Sequence, residues 1–188
     1  MMRFVLLLLI ILLPLSAAQA DPATYALVAD KSSLKFIAIQ NNAPVEGQFK
    51  DFTTQIVFDP DDLEHSKIRV EIAVASVTSS YGELVTNLKL PEWLSVEAFP
   101  KAHFESKKIT RMIRTDNYIV EGELSLRDKK IPVSLNFQML LFEKDNAIAK
   151  GFTTLHRSDF GVGQGQWAKD DVVKDEVRVE FRIVAKKQ

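Results

Sequence analysis

The chain has 188 residues, with 24 basic and 25 acidic side chains, a formal net charge of −1 and no cysteine. So even a balance shows no basic stripe and implies no nucleic-acid partner. Zero Cys excludes disulfides, thiol catalysis and Cys-ligated metals, so the fold must draw its stability from burial.

Arg3 is the only charge in residues 1–20, and an apolar run from Phe4 to Leu13 is followed by Pro14 and by Ala18-Gln19-Ala20. This pattern predicts a secretory signal peptide cleaved after Ala20 and a periplasmic location; the apolar run is too short to span a bilayer. No Cys follows the cleavage site, so lipid attachment there is not expected. Residues 21–188 contain no linker, repeat or low-complexity tract and read as one domain.

The dominant period in that domain is two. Leu34, Phe36 and Ala38 share one face, as do Ile68, Val70, Ile72 and Val74. Tyr118, Val120, Leu124 and Leu126 form another such row, and Ile131, Val133, Leu135, Phe137 and Met139 a fourth. The clearest is Val177, Val179, Phe181 and Ile183 against Arg178, Glu180 and Arg182. These are antiparallel strands with one wet face. Turn signals separate them at Asp30-Lys31-Ser32, Asn41-Asn42, Asp59–Asp62, Thr115–Asn117, Asp128–Lys130 and Lys144–Asn146. A meander of about eight to ten strands follows, all-β, as a single extended antiparallel barrel or, in competition, a sandwich. One segment breaks the period: Leu84, Val85, Leu88 and Trp93 have helical spacing, which predicts a short helix over 80–90 before a turn at Pro91.

The stretch from Thr153 to Val173 combines a strand end, a charge pair (Arg157, Asp159), two aromatics (Phe160, Trp167) and glycines at 161, 163 and 165. Glycine at alternate positions of an extended segment clears one face, as at a barrel rim or ligand mouth. Extended geometry would also place Arg157 and Asp159 on one side, as a head-group site or a structural clamp.

The ordered set Ser33–Phe36, Val45–Phe49, Phe58–Pro60, Ala75–Thr78, Asn87–Lys89 with Trp93-Leu94, Ala98–Pro100 and Phe104–Ser106 resembles the YceI-like family. Gly122–Arg127, Ile131–Val133, Arg157–Gly161 and Asp175–Val177 complete the resemblance. Three positions depart from it: Asn87 stands where many members carry His, Asp128 where many carry Gly, and Trp93 in place of a Phe pair. The resemblance implies an exported, lipocalin-like barrel whose lumen holds an isoprenoid-like lipid (quinone, polyprenyl or acyl amphiphile), with the helical insertion near the opening. It also implies a binding protein rather than an enzyme, with no cofactor beyond such a lipid. Transient membrane or b-type cytochrome contact and a homodimer are compatible with it.

On this reading the lipid-facing candidates are Phe36, Phe49, Leu88, Trp93, Phe104, Leu124, Leu135, Phe152 and Phe160, while Phe137 and Phe181 are expected to be mostly core. Asn87, Arg157 and Asp159 are the head-group or clamp candidates. Small barrels either fill their interior with such side chains or leave room for one ligand. Two alternatives therefore stand: a ligand-free stress-response or interaction barrel, and a hydrolase using His156, Ser158 and Asp159. The hydrolase lacks a Gly-x-Ser-x-Gly elbow. His65, His103 and His156 lack metal-ligand spacing, and the glycine run has no following helix to bind phosphate.

Overall fold

The computed structural model describes residues 23–188; the leader expected over 1–20 lies outside the described residues. Its strands are β1 (Thr24–Leu27), β2 (Ser33–Gln40), β3 (Ala43–Phe49), β4 (Phe52–Val57), β5 (Lys67–Ala73), β6 (Val77–Ser79), β7 (Lys101–Arg111), β8 (Asn117–Leu126), β9 (Lys129–Phe142), β10 (Asn146–His156) and β11 (Val173–Lys187), with one helix, α1 (Gly82–Leu88). Three pairs of these are single strands with an interruption. A 3-10 turn at Ala29–Lys31 divides β1 from β2, and another at Val74–Ser76 divides β5 from β6. Residues 50–51 divide β3 from β4.

Counted that way the sheet is an eight-stranded antiparallel meander that closes on itself. The last strand, β11, meets both halves of the first, with Leu27 opposite Ala185 and Leu34 opposite Phe181. Closure leaves the long strands without open edges. The alternation seen in the sequence is the cause: each apolar row faces inward and its polar neighbours face water.

The hairpin turn between Gln40 and Ala43 is made by Asn41 and Asn42 at φ 50° and 61°. Two-residue turns of this kind need positive φ at both positions, which Asn tolerates. The helix is shorter than the expected span of 80–90. Past Leu88 the chain folds back on itself, with the Leu94 amide bonded to the Leu88 carbonyl and the Ser95 amide to that of Leu90. Proline at 91 has no amide hydrogen to continue a helix.

The segment after β10 departs most from the sequence reading. Arg157–Phe160 is a 3-10 turn, not an extended run. Gly161, Gly163 and Gly165 sit at φ 64°, 76° and 64°, so their role is to supply left-handed backbone, not to clear one face of a strand.

Two apolar clusters occupy the ends of the barrel. One is aromatic, with the Tyr118 and Phe137 rings stacked at 4.9 Å and Phe58 edge-on to Tyr118 at 5.5 Å. The other joins Val74, Val77, Leu88, Leu94, Phe160 and Val162, so α1 and the segment after β10 close the same end.

Candidate functional site

The inward rows do not fill the barrel. They enclose an apolar cavity of about 290 Å3 that touches residues of both end clusters. Much of the space comes from large–small pairing across neighbouring strands. Phe36 lies opposite Gly47 and Phe181 opposite Gly151. A Cβ on Gly47 would fall 2.2 Å from the tip of the Phe36 ring, and one on Gly151 2.4 Å from that of Phe181. The tip of each ring therefore occupies the space that a side chain at the facing glycine would take.

Phe36, Phe49, Leu88, Trp93, Phe104, Leu124, Leu135 and Phe160 line this cavity. Phe137 and Phe181, expected to be core, also form part of the wall. Phe152 does not. It is 37% exposed on the outer face, with the Arg178 guanidinium 3.9 Å above its ring. Gly151 and Thr153 hold the inward positions of β10 and are buried, and the pleat turns residue 152 outward. Sequence reasoning missed the wall supplied by β4, namely Phe52, Thr54 and Ile56; its polar Thr53-Thr54-Gln55 run hid the alternation.

Arg157 and Asp159 do not form a pair. The 3-10 turn sends Arg157 inward, where it is 4% exposed, and leaves Asp159 in solvent. The buried guanidinium meets no carboxylate. Its Nε donates to the Lys174 carbonyl, Nη1 to those of Val162 and Gly163, and Nη2 to those of Trp167, Lys169 and Val173, at 2.7–3.2 Å. A guanidinium has five N–H groups, so these carbonyls take up its whole donor capacity. Arg157 is thus the clamp that ties down residues 162–174, and its ring neighbour is Trp93 at 5.9 Å. A Cβ at Gly163 would fall 2.3 Å from its Nη1, which is a second reason for glycine there.

A second arginine, Arg127, ends the strand row that begins at Tyr118. It occupies the β8–β9 turn at φ 56°, and its Nη1 donates to the carbonyls of Trp93 and Gly161. It thereby stitches the turn after α1 to the turn after β10, while its Nε is enclosed without a partner. Asn87 is a hydrogen-bond partner of neither arginine. It lines a cleft of about 70 Å3 between α1, β2–β3 and Trp167, together with Gln40, Leu84 and Val45.

Residues 25–185 match the YceI-like domain. The chain belongs to the YceI-like family. It is 30% identical over 99 residues to a UPF0312 protein of Photorhabdus laumondii, a match covering 53% of this chain and 50% of that one. A UPF0312 protein of Azotobacter vinelandii is 31% identical over 121 residues, 62% of each chain. The chain thus spans between half and about two thirds of these curated relatives. Among solved structures, BcnA of Burkholderia cenocepacia superposes with a TM-score of 0.79 at 28% identity, covering 84% of this chain and 98% of that one. A polyisoprenoid binding domain from Saccharophagus degradans, implicated in plant cell wall breakdown, gives a TM-score of 0.68 at 13% identity, over 88% and 99% of the two chains. At that identity the likeness concerns fold alone.

In this YceI-like barrel the residues of the hydrolase alternative lie outside the lumen. His156 Nδ1 is 3.2 Å from Asp175 Oδ2, and the Ser158 hydroxyl donates to the same oxygen at 3.0 Å while the Ser158 amide donates to Oδ1 at 2.9 Å. The carboxylate sits between Ser and His, and Asp159 takes no part. A Ser–His nucleophile needs the two in direct hydrogen-bond contact. Desolvation pushes the Asp175 carboxyl up, but the Ser158 amide and hydroxyl and His156 outweigh it and hold the group below its usual range. The arrangement anchors the start of the clamped segment to β11.

Proposed function

We propose that this chain is an exported, non-enzymatic binding protein that holds an isoprenoid-like lipid in its barrel lumen. The observation that carries the reading is the 290 Å3 apolar cavity left between the end clusters. Its wall contains a single charged side chain, Arg157, whose donors already end on carbonyls. Burial of a methylene-sized group contributes about 0.8 kcal/mol, so a short chain inside such a wall outweighs the cost of ordering it. Membership of the YceI-like family and a structural neighbour described as polyisoprenoid binding support the same ligand class. The apolar leader-like segment over residues 4–13 supports export and a periplasmic location.

Native mass spectrometry of the protein purified from its own periplasm tests this. A discrete added mass that extraction identifies as an isoprenoid or acyl lipid is the expected result. A bare mass, with no uptake of added quinone or polyprenol, would leave a ligand-free barrel as the better account.

A further inference from the structure

We propose that the cleft between α1, β2–β3 and Trp167 is the head-group subsite of the lumen, and that it takes a small uncharged head (a hydroxyl, carbonyl or amide) rather than a carboxylate or phosphate. The inference rests on the lumen reading above. Cleft and lumen adjoin, since Phe36, Ala38, Leu88, Trp93 and Val173 form walls of both. On this assignment a lipid whose tail lies in the lumen passes between these shared side chains and places its end in the cleft.

The lumen itself exposes no free polar group to a head. The Arg157 donors are spent on backbone carbonyls, and the Thr153 hydroxyl donates to the Ser134 carbonyl at 2.8 Å. The Thr54 hydroxyl, also in the wall, has no hydrogen-bond partner, but its oxygen is enclosed by its neighbours. The cleft differs in kind, because two residues with primary amides, Gln40 and Asn87, line it. Each amide presents both donors and an acceptor, which suits a neutral oxygen or nitrogen head. No charged side chain lines the cleft, so an anionic head would be partly desolvated there without a counter-charge, which disfavours it.

Size points the same way. A cleft of 70 Å3 admits a few non-hydrogen atoms, fewer than a diphosphate contains. An apolar cavity of about 150 Å3 accommodates benzene, so a lumen of 290 Å3 encloses about a dozen carbon atoms. The best match is a single-chain lipid of roughly farnesyl length with a neutral end.

The test uses protein expressed from the full-length chain, stripped of lipid, and three probes of one chain length: farnesene without a head, farnesol, and farnesoate. Calorimetry is expected to give farnesol at least tenfold tighter binding than farnesoate. Asn87→Leu should reduce the preference for farnesol over farnesene about fivefold, with farnesene affinity unchanged. Gln40→Met provides a second variant with the same expected direction should the first fail to fold. Equal binding of farnesol and farnesoate, or an unchanged preference in both variants, would overturn the head-group assignment while farnesene uptake upholds the lumen. Uptake of none of the three, farnesene included, would overturn the lumen reading and this inference with it.

Discussion

Arg157 is a buried cation held by backbone carbonyls, with no carboxylate among its partners. Removing it strands carbonyls of six residues in a site where hydrogen bonds to a charged donor contribute about 1.5–3 kcal/mol each, though not additively. Arg157→Met is therefore expected to cost about 3 kcal/mol or more, read as a lowered urea midpoint, while Asp159→Asn leaves the midpoint unchanged. Nearby, Asp175 titrates below its usual range in the folded protein. A carboxyl depressed by folding contributes stability above its unfolded pKa and loses it as pH falls through the folded value. The stability of wild type should fall on acidification below the ordinary carboxylate range, and Asp175→Asn should flatten that limb of a urea-midpoint-versus-pH curve. A variant as acid-sensitive as wild type would show that the Ser158–Asp175–His156 contacts contribute nothing.

At the scale of the strand, the lumen depends on which residue faces which across the register. Gly47 meets only the Phe36 ring, whereas Gly122 and Gly151 also face backbone oxygens, at 2.5 and 2.3 Å from an added Cβ. Gly47→Ala can thus be relieved by swinging one ring inward, and its expected signature is loss of lipid uptake with the fold kept and at most about 1–2 kcal/mol of stability lost. Gly151→Ala has no such escape and should destabilise the barrel outright. Circular dichroism melts beside uptake of a fluorescent isoprenoid separate the two cases. Equal effects of both variants would mean that the rings do not hold the lumen open.

For the molecule as a whole, the barrel closes by pairing its first and last strands and caps one end with aromatic packing and the other with two turns stitched by Arg127 and Arg157. The space between is what a ligand would occupy. Leu135→Trp, set mid-wall, should lower lipid uptake at least tenfold while near-ultraviolet dichroism remains native. Phe152→Ala, on the outer face beside Arg178, should leave uptake unchanged. If Phe152→Ala abolished uptake and Leu135→Trp did not, the cargo would lie on the outside of the sheet.

Strand rows such as Val177–Ile183, the Asn41-Asn42 turn and the helical break after Ser79 were legible because each is a local pattern: a period of two, a pair of residues tolerant of positive φ, a shift to helical spacing. Most of the lumen wall followed from them, since a face that is apolar along a strand must point inward. What stayed hidden depended on partners distant in the chain. Phe152 looked inward by its aromatic character, and only the burial of Gly151 and Thr153 set its direction. Arg157 looked paired with Asp159 two residues away, yet its partners extend to Lys174. Asp175 carries no signal in its own neighbourhood for its bond to Ser158. Whether the barrel is hollow was likewise undecided by composition, because the same phenylalanines fill a core or line a cavity according to the glycine that register places beneath each ring.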